Sequence, residues 1–187
     1  MRVHLYEGGL TPLVAHSGVG QAICHQRAML AEAGVELTDG WKGRADAVHI
    51  NTVLPDAPLA ALRARLRGET VVWYGHSTME DFRESFVGSN RLAPLFRRWL
   101  CVCYGLADVV VTPTPYSRRI LEGYGLKKPV YALSNGVDTE FFAPDPARRT
   151  AWRARQQQRP GQKLVISVGH FMERKGILEF IDLARKL

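Results

Sequence analysis

The residues Gly75-His76-Ser77-Thr78 come straight after the apolar run Glu69-Thr70-Val71-Val72-Trp73-Tyr74. A histidine in that place stands at the carboxyl end of a buried strand, where open α/β sheets hold their ligands. It can hydrogen-bond a sugar hydroxyl or position a carbonyl or phosphate oxygen. His76 is therefore the candidate catalytic residue, and core packing is the competing role for a lone histidine. Ser77 or Thr78 is placed to cap the next helix, with Glu80 and Asp81 offsetting the dipole of its first turn.

Two glycine-bearing turns suit phosphate. The apolar run Leu164-Val165-Ile166-Ser167-Val168 breaks at Gly169 into a basic turn, Arg174-Lys175-Gly176, that opens a helix. Unpaired N–H groups at such a helix start, with two cations beside them, suit a nucleotide diphosphate, so Gly169, Arg174 and Lys175 are candidate phosphate binders. Gly18 and Gly20, in Ser17-Gly18-Val19-Gly20, let a phosphate or sugar approach the backbone, or else form a plain flexible turn. They do not make a dinucleotide fingerprint, because Ile23 occupies the third glycine position.

The segment from Arg91 to Tyr104 mixes Arg91, Arg97 and Arg98 with Phe96 and Trp99. These are the ingredients of a helix lying on an anionic membrane surface. An ordinary core helix with its arginines in solvent is the equal alternative, since Leu95, Trp99 and Val102 also match a buried stripe. The sequence has no D-x-D, H-E-x-x-H, complete Walker loop or G-x-S-x-G, and its six histidines lack zinc-ligand spacing, so no metal site is expected.

The elements that must position these residues alternate. Strands are expected at 3–6, 46–51, 69–74, 108–112, 129–133 and 164–168. Helices are expected at 18–34, 58–67, 115–123, 148–159 and 176–187, the first with Ile23, Arg27 and Leu30 on one face. Such alternation predicts an α/β fold, a Rossmann-like doubly wound parallel sheet with helices on both faces. Proline and charge replace core residues over 142–161, which reads as a connection. The expected organisation is a first domain with its linker over 1–160 and the first strand and helix of a second, incomplete domain over 161–187.

Charge is uneven. Residues 1–90 carry 8 Lys and Arg against 10 Asp and Glu, whereas residues 91–187 carry 17 against 8. The second half therefore suits an anionic partner, whether lipid headgroups, nucleotide phosphates or nucleic acid, or is simply a solubilising surface. No helix-turn-helix, RNA-recognition or zinc-finger pattern occurs, so nucleic acid is not expected. The N-terminal apolar run is too short for a signal peptide, and no run of eighteen apolar residues spans a membrane. Three cysteines, Cys24, Cys101 and Cys103, with no C-x-x-C pair suggest buried thiols in a reducing, cytoplasmic compartment.

Taken together, Ser134-Asn135-Gly136-Val137-Asp138-Thr139-Glu140-Phe141-Phe142 and the turn from Val168 to Gly176 resemble glycosyltransferase family 4. His49-Ile50-Asn51-Thr52, the stretch Gly75 to Phe82 and Thr112-Pro113-Thr114-Pro115-Tyr116-Ser117 are similar to its bacterial glycolipid branch. The resemblance covers essentially the whole chain. It implies a GT-B fold of two Rossmann-like domains, with the nucleotide-sugar donor held mainly by the second and the acceptor meeting the first. It also implies transfer with retention and no metal or cofactor beyond the nucleotide-sugar co-substrate, a UDP-hexose such as UDP-glucose or UDP-galactose.

The implied acceptor is a membrane lipid, diacylglycerol or glucosyl-diacylglycerol, met peripherally on the inner face of the bacterial cell membrane. His76 would line the reaction centre, Gly18 and Gly20 would lie near donor phosphate, and Lys175, assisted by Arg174, would hold the diphosphate. His170 stands where many members have arginine, and Asn135 and Asp138 would shape a turn. Members are roughly twice as long, with two donor-binding glutamates absent from this chain. The expectation is thus an N-terminal half, from a truncated or partial gene, inactive alone. A family member acting on a protein or cell-wall glycan, and a non-catalytic module for anionic ligands, are the alternatives.

Overall fold

The computed structural model describes residues 1–9, 17–38, 40–41, 43–169, 171 and 175–186. Its contacts divide the chain into two compact units, Met1–Gly136 and Val137–Leu187. The segment 142–161, expected as a linker, thus falls inside the second unit.

The first unit is built on the strands β1 (Arg2–Tyr6), β2 (Glu36–Thr38), β3 (Ala47–Ile50), β4 (Thr70–Tyr74), β5 (Val109–Thr112) and β6 (Val130–Ala132). All pair in parallel, in the order β2-β1-β3-β4-β5-β6. Between them run helices α1 (Gly18–Glu32), α2 (Ala57–Leu66), α3 (Met79–Phe82), α4 (Ser89–Gly105) and α5 (Pro115–Glu122). This is the Rossmann-like α/β sheet that the alternation of elements predicts. The three-residue edge strand β2 escapes the sequence reading because it is short and only half-buried.

The order reverses at β1, since the chain leaves it for β2 on one side and returns as β3 on the other. Ligands of open sheets bind at the carboxyl ends of the strands flanking such a point. Register keeps these ends level: Tyr6 pairs with Ile50, Ile50 with Trp73, and Tyr74 with Val111. The apolar runs of the strands explain the core beneath, where Val48, Ile50, Val71, Trp73 and Val110 meet Ala61, Leu100, Tyr104 and Leu121 from the helices, all fully buried. Each fully buried side chain of leucine size contributes about 1.5–3 kcal/mol.

Local chemistry sets the helix starts. Ser17 Oγ accepts from the backbone N–H of Val19 and Gly20 at α1, and Thr114 and Ser117 form a reciprocal capping box at α5. On α1 the buried face is Ile23, Gln26 and Leu30, while Arg27, expected on that face, turns outward to pair with Glu7. Only Cys103 is a buried thiol; Cys24 is exposed and Cys101 half-buried, contrary to expectation.

In the second unit lie α6 (Pro146–Arg155) and α7 (Ile177–Lys186). The expected strand at 164–168 pairs with no other strand among the described residues, and Val168 is 92% exposed. A strand needs a neighbour for its N–H and C=O groups, whereas a helix satisfies them within itself, so α7 forms where the strand does not.

Candidate active site

His76 sits just beyond β4 on a turn fixed from several sides. Gly75 N–H donates to the Val111 carbonyl at 2.6 Å, and Thr112 Oγ1 donates to the Gly75 carbonyl at 3.0 Å. Tyr104 donates from its hydroxyl to the Ser77 carbonyl at 2.7 Å, and the Tyr124 hydroxyl accepts from Met79 N–H at 2.6 Å. Thr78 caps α3 by accepting from Asp81 N–H. Glycine fits position 75 best, because a Cβ there would lie 2.8 Å from Leu121 Cδ1 and 3.6 Å from the Tyr104 ring, so that Leu121 would have to shift.

The imidazole is held by a buried relay. Asn51, at the end of β3 and 2% exposed, donates from Nδ2 to Gln26 Oε1 at 2.7 Å; Gln26, on α1, is 4% exposed. Asn51 therefore turns its carbonyl Oδ1 to His76, 3.1 Å from Nε2. Only an N–H can complete that bond, so Nε2 carries the proton and Nδ1 is left with a lone pair. Tyr74 stacks on the imidazole, with ring centroids 6.1 Å apart and planes 23° from parallel, and the His49 ring lies 5.5 Å from that of Tyr74, tilted by 46°.

Burial lowers both His49 and His76 from the usual imidazole value to about 4, and raises the Tyr74 phenol, an effect that the neighbouring Gln26 partly offsets. A neutral His76 about three units below neutral pH is a poor proton acceptor but a good hydrogen-bond acceptor. Orienting a hydroxyl through Nδ1 fits it better than abstracting a proton. Among the described residues the buried His49 Nδ1 and Thr52 Oγ1 have no hydrogen-bond partner, leaving unspent polar capacity beside the site.

The other candidates fall in different places. Gly18 and Gly20 open α1, which reaches His76 through Gln26 and Asn51 two turns further on. Gly169 and Lys175 are exposed in the second unit, Lys175 just before α7; Arg174, like His170, lies outside the described residues. Asp138 shapes a turn as expected, its Oδ1 accepting from Glu140 and Phe141 N–H. Among the described residues no group of three His, Cys, Asp or Glu side chains could hold a metal.

Helix α4 resolves into two faces. Phe96 stacks on Phe82 at 4.3 Å, Trp99 donates from Nε1 to the Val53 carbonyl at 2.7 Å, and Arg97 covers the Tyr124 ring at 4.9 Å. These three of the five membrane-surface candidates turn toward the protein. Arg91 and Arg98 are exposed, and the apolar residues beside them in solvent are Leu92, Leu95 and Val102. Arg83, Arg97 and Arg98 together line a groove of about 550 Å³ against α4. Among the described residues no helix is long and apolar enough to cross a membrane.

Asn51 and Gln26 were missing from the sequence-derived candidates. The available signals were an asparagine directly after the buried strand Ala47–Ile50 and a glutamine in the i, i+3, i+7 stripe with Ile23 and Leu30.

Comparison with known proteins gives this arrangement a family. The chain is 38% identical over 188 aligned positions to the processive diacylglycerol alpha-glucosyltransferase of Acholeplasma laidlawii, covering 100% of this chain and 55% of that protein. It is 33% identical over 158 positions to a GDP-mannose-dependent alpha-(1-6)-phosphatidylinositol monomannoside mannosyltransferase of Mycobacterium tuberculosis, covering 80% of this chain and 34% of that protein. It thus spans about half the length of the first relative and a third of the second. The structure of Anabaena Alr3699/HepE in complex with UDP and glucose matches with a TM-score of 0.47 at 13% identity, covering 83% of this chain and 50% of that one. The sequence model of Glycosyltransferase Family 4 matches residues 14–141, which hold α1, Asn51, His76 and α4 alike, and the chain belongs to that family.

Proposed function

We propose that the chain forms the acceptor-side half of a retaining glycosyltransferase. It moves a hexose from a nucleotide sugar, UDP-glucose or UDP-galactose, to a membrane lipid such as diacylglycerol or glucosyl-diacylglycerol at the cytoplasmic face. The observation carrying this reading is the neutral, tethered His76 at the carboxyl end of β4, backed by 38% identity along the whole chain to a diacylglycerol glucosyltransferase. His76 Nδ1 accepts a hydroxyl of donor or acceptor and fixes its direction while the backbone at Gly18 and Gly20 approaches the donor. Lys175, with Arg174, holds the diphosphate as it leaves, supplying the positive charge that such a departure requires. The outer stripe of α4 rests on the anionic bilayer and brings the lipid headgroup to the crevice.

The test is hexose transfer by this chain continued with the remaining half of the Acholeplasma laidlawii relative. Vesicles of anionic lipid carrying diacylglycerol or glucosyl-diacylglycerol are offered UDP-glucose, UDP-galactose or GDP-mannose. Transfer from a UDP-hexose to either lipid is expected, with none to a protein or cell-wall glycan acceptor. Preference for the glycan acceptor, or for GDP-mannose, would overturn the assignment.

A further inference from the structure

On the far side of β1 from His76, the carboxyl ends of β1 and β2 enclose a cleft of about 270 Å³. Its walls are aromatic: the Trp41 ring lies 4.7 Å from His4 and 6.0 Å from Tyr6. Its polar equipment is balanced, because Arg27 pairs with Glu7 and both are only about half-covered, which leaves donors and acceptors free on each.

His4 lines the cleft at 5% exposure. Its Nδ1–H donates to the Thr38 carbonyl at 3.3 Å, so Nε2 is a buried acceptor, with no partner among the described residues. The Tyr6 hydroxyl donates to Asp56 Oδ2 at 3.0 Å, leaving its oxygen lone pair as a further acceptor. Gly8 permits this arrangement, since at φ +77 a Cβ would come within 2.7 Å of the same carboxylate oxygen.

The complementary ligand has C–H faces for the rings and several hydroxyls for the rim. A purely apolar guest would leave the Tyr6 oxygen and the free groups of Arg27 and Glu7 without hydrogen-bond partners, and a phosphate attracted by Arg27 would be opposed by Glu7. We propose that this cleft is a subsite for one neutral hexosyl ring. The volume, below the range usual for drug-sized ligands, suits a single ring. Strands lie about 4.8 Å apart, so a ring seated between β1 and β2 is on the order of 10–15 Å from the His76 turn, at the reach of a second sugar unit. Naming that unit as part of a glycolipid acceptor rests on the function proposed above; the recognition chemistry of the cleft does not.

Saturation-transfer NMR on the 187-residue chain with methyl α-glucopyranoside tests it, with glycerol and inorganic phosphate as controls. We expect glucoside binding near about 1 mM, weakened tenfold or more in Trp41→Ala, retained in Trp41→Phe, weakened in the surface variant Glu7→Gln and unchanged in His76→Ala. Three results would overturn the proposal: no glucoside signal at tens of millimolar, a signal indifferent to Trp41→Ala and Glu7→Gln, or one lost with His76→Ala. Since neither donor nor turnover enters the readout, its failure and failure of the proposed transfer reaction are separately visible.

Discussion

Asn51 Oδ1 lies 3.1 Å from His76 Nε2, and this one bond decides which imidazole nitrogen meets a substrate. The amide is itself committed to Gln26, so it has no freedom to present its Nδ2 group instead. Replacing Asn51 with aspartate puts a carboxylate against the ring. His76, neutral in the native chain down to about pH 4, should then titrate about 1–3 units higher by NMR. An unmoved His76 titration in Asn51→Asp would show that the contact does not govern the ring.

The same burial makes stability depend on pH. His49 and His76 have folded values of about 4, below the unfolded value of 6.5. Between those values the unfolded chain binds protons that the native chain refuses. Their contribution is therefore fully present above pH 6.5 and is lost progressively as the pH falls toward 4. Each site is worth on the order of 3 kcal/mol at most. Urea midpoints measured from pH 7.5 to 4.5 should fall, and the fall should shrink in His49→Phe; a flat profile would refute the neutral assignment.

Gly75 and Leu121 should be energetically coupled. Gly75→Ala drives a methyl group to 2.8 Å from Leu121 Cδ1 and should cost about 1–3 kcal/mol by overpacking. Leu121→Ala alone should cost about 2–5 kcal/mol by leaving a cavity. In the double variant the two costs should fall short of their sum, because the new methyl enters the space that Leu121 vacates. Strict additivity in urea unfolding would count against the close approach.

For α4 the two faces predict opposite behaviour. Arg91→Ala with Arg98→Ala removes two exposed cations, each worth about 1 kcal/mol at an anionic surface, so binding to anionic vesicles should weaken roughly 30-fold without loss of fold. Trp99→Ala should instead lower thermal stability, since its indole donates to Val53 and packs on the core. Vesicle binding insensitive to both arginines would remove the membrane role of this helix.

Much of the fold was legible because apolar strands alternating with helices speak locally: the runs at 3–6, 46–51, 69–74 and 108–112 all became strands of one sheet. His76 was legible for the same reason, as the first polar side chain past a buried strand. What stayed hidden depended on tertiary partners. The apolar run at 164–168 resembles a strand, yet it finds no neighbouring ladder among the described residues and stays exposed. The mixture of Arg97, Phe96 and Trp99 looked like a membrane face, but Tyr124, Phe82 and Val53 claim these three side chains. The Gln26–Asn51–His76 relay joins residues 25 positions apart at each step, which no local pattern encodes.

The most direct measurement is the rate of hexose transfer to diacylglycerol by the continued chain bearing His76→Ala, compared with the unaltered one at equal fold and vesicle binding. The account predicts a loss of about a hundredfold or more in kcat with vesicle affinity unchanged, as when one preorganised hydrogen-bonding group is removed from a reaction centre. A kcat within threefold of the unaltered chain would contradict it.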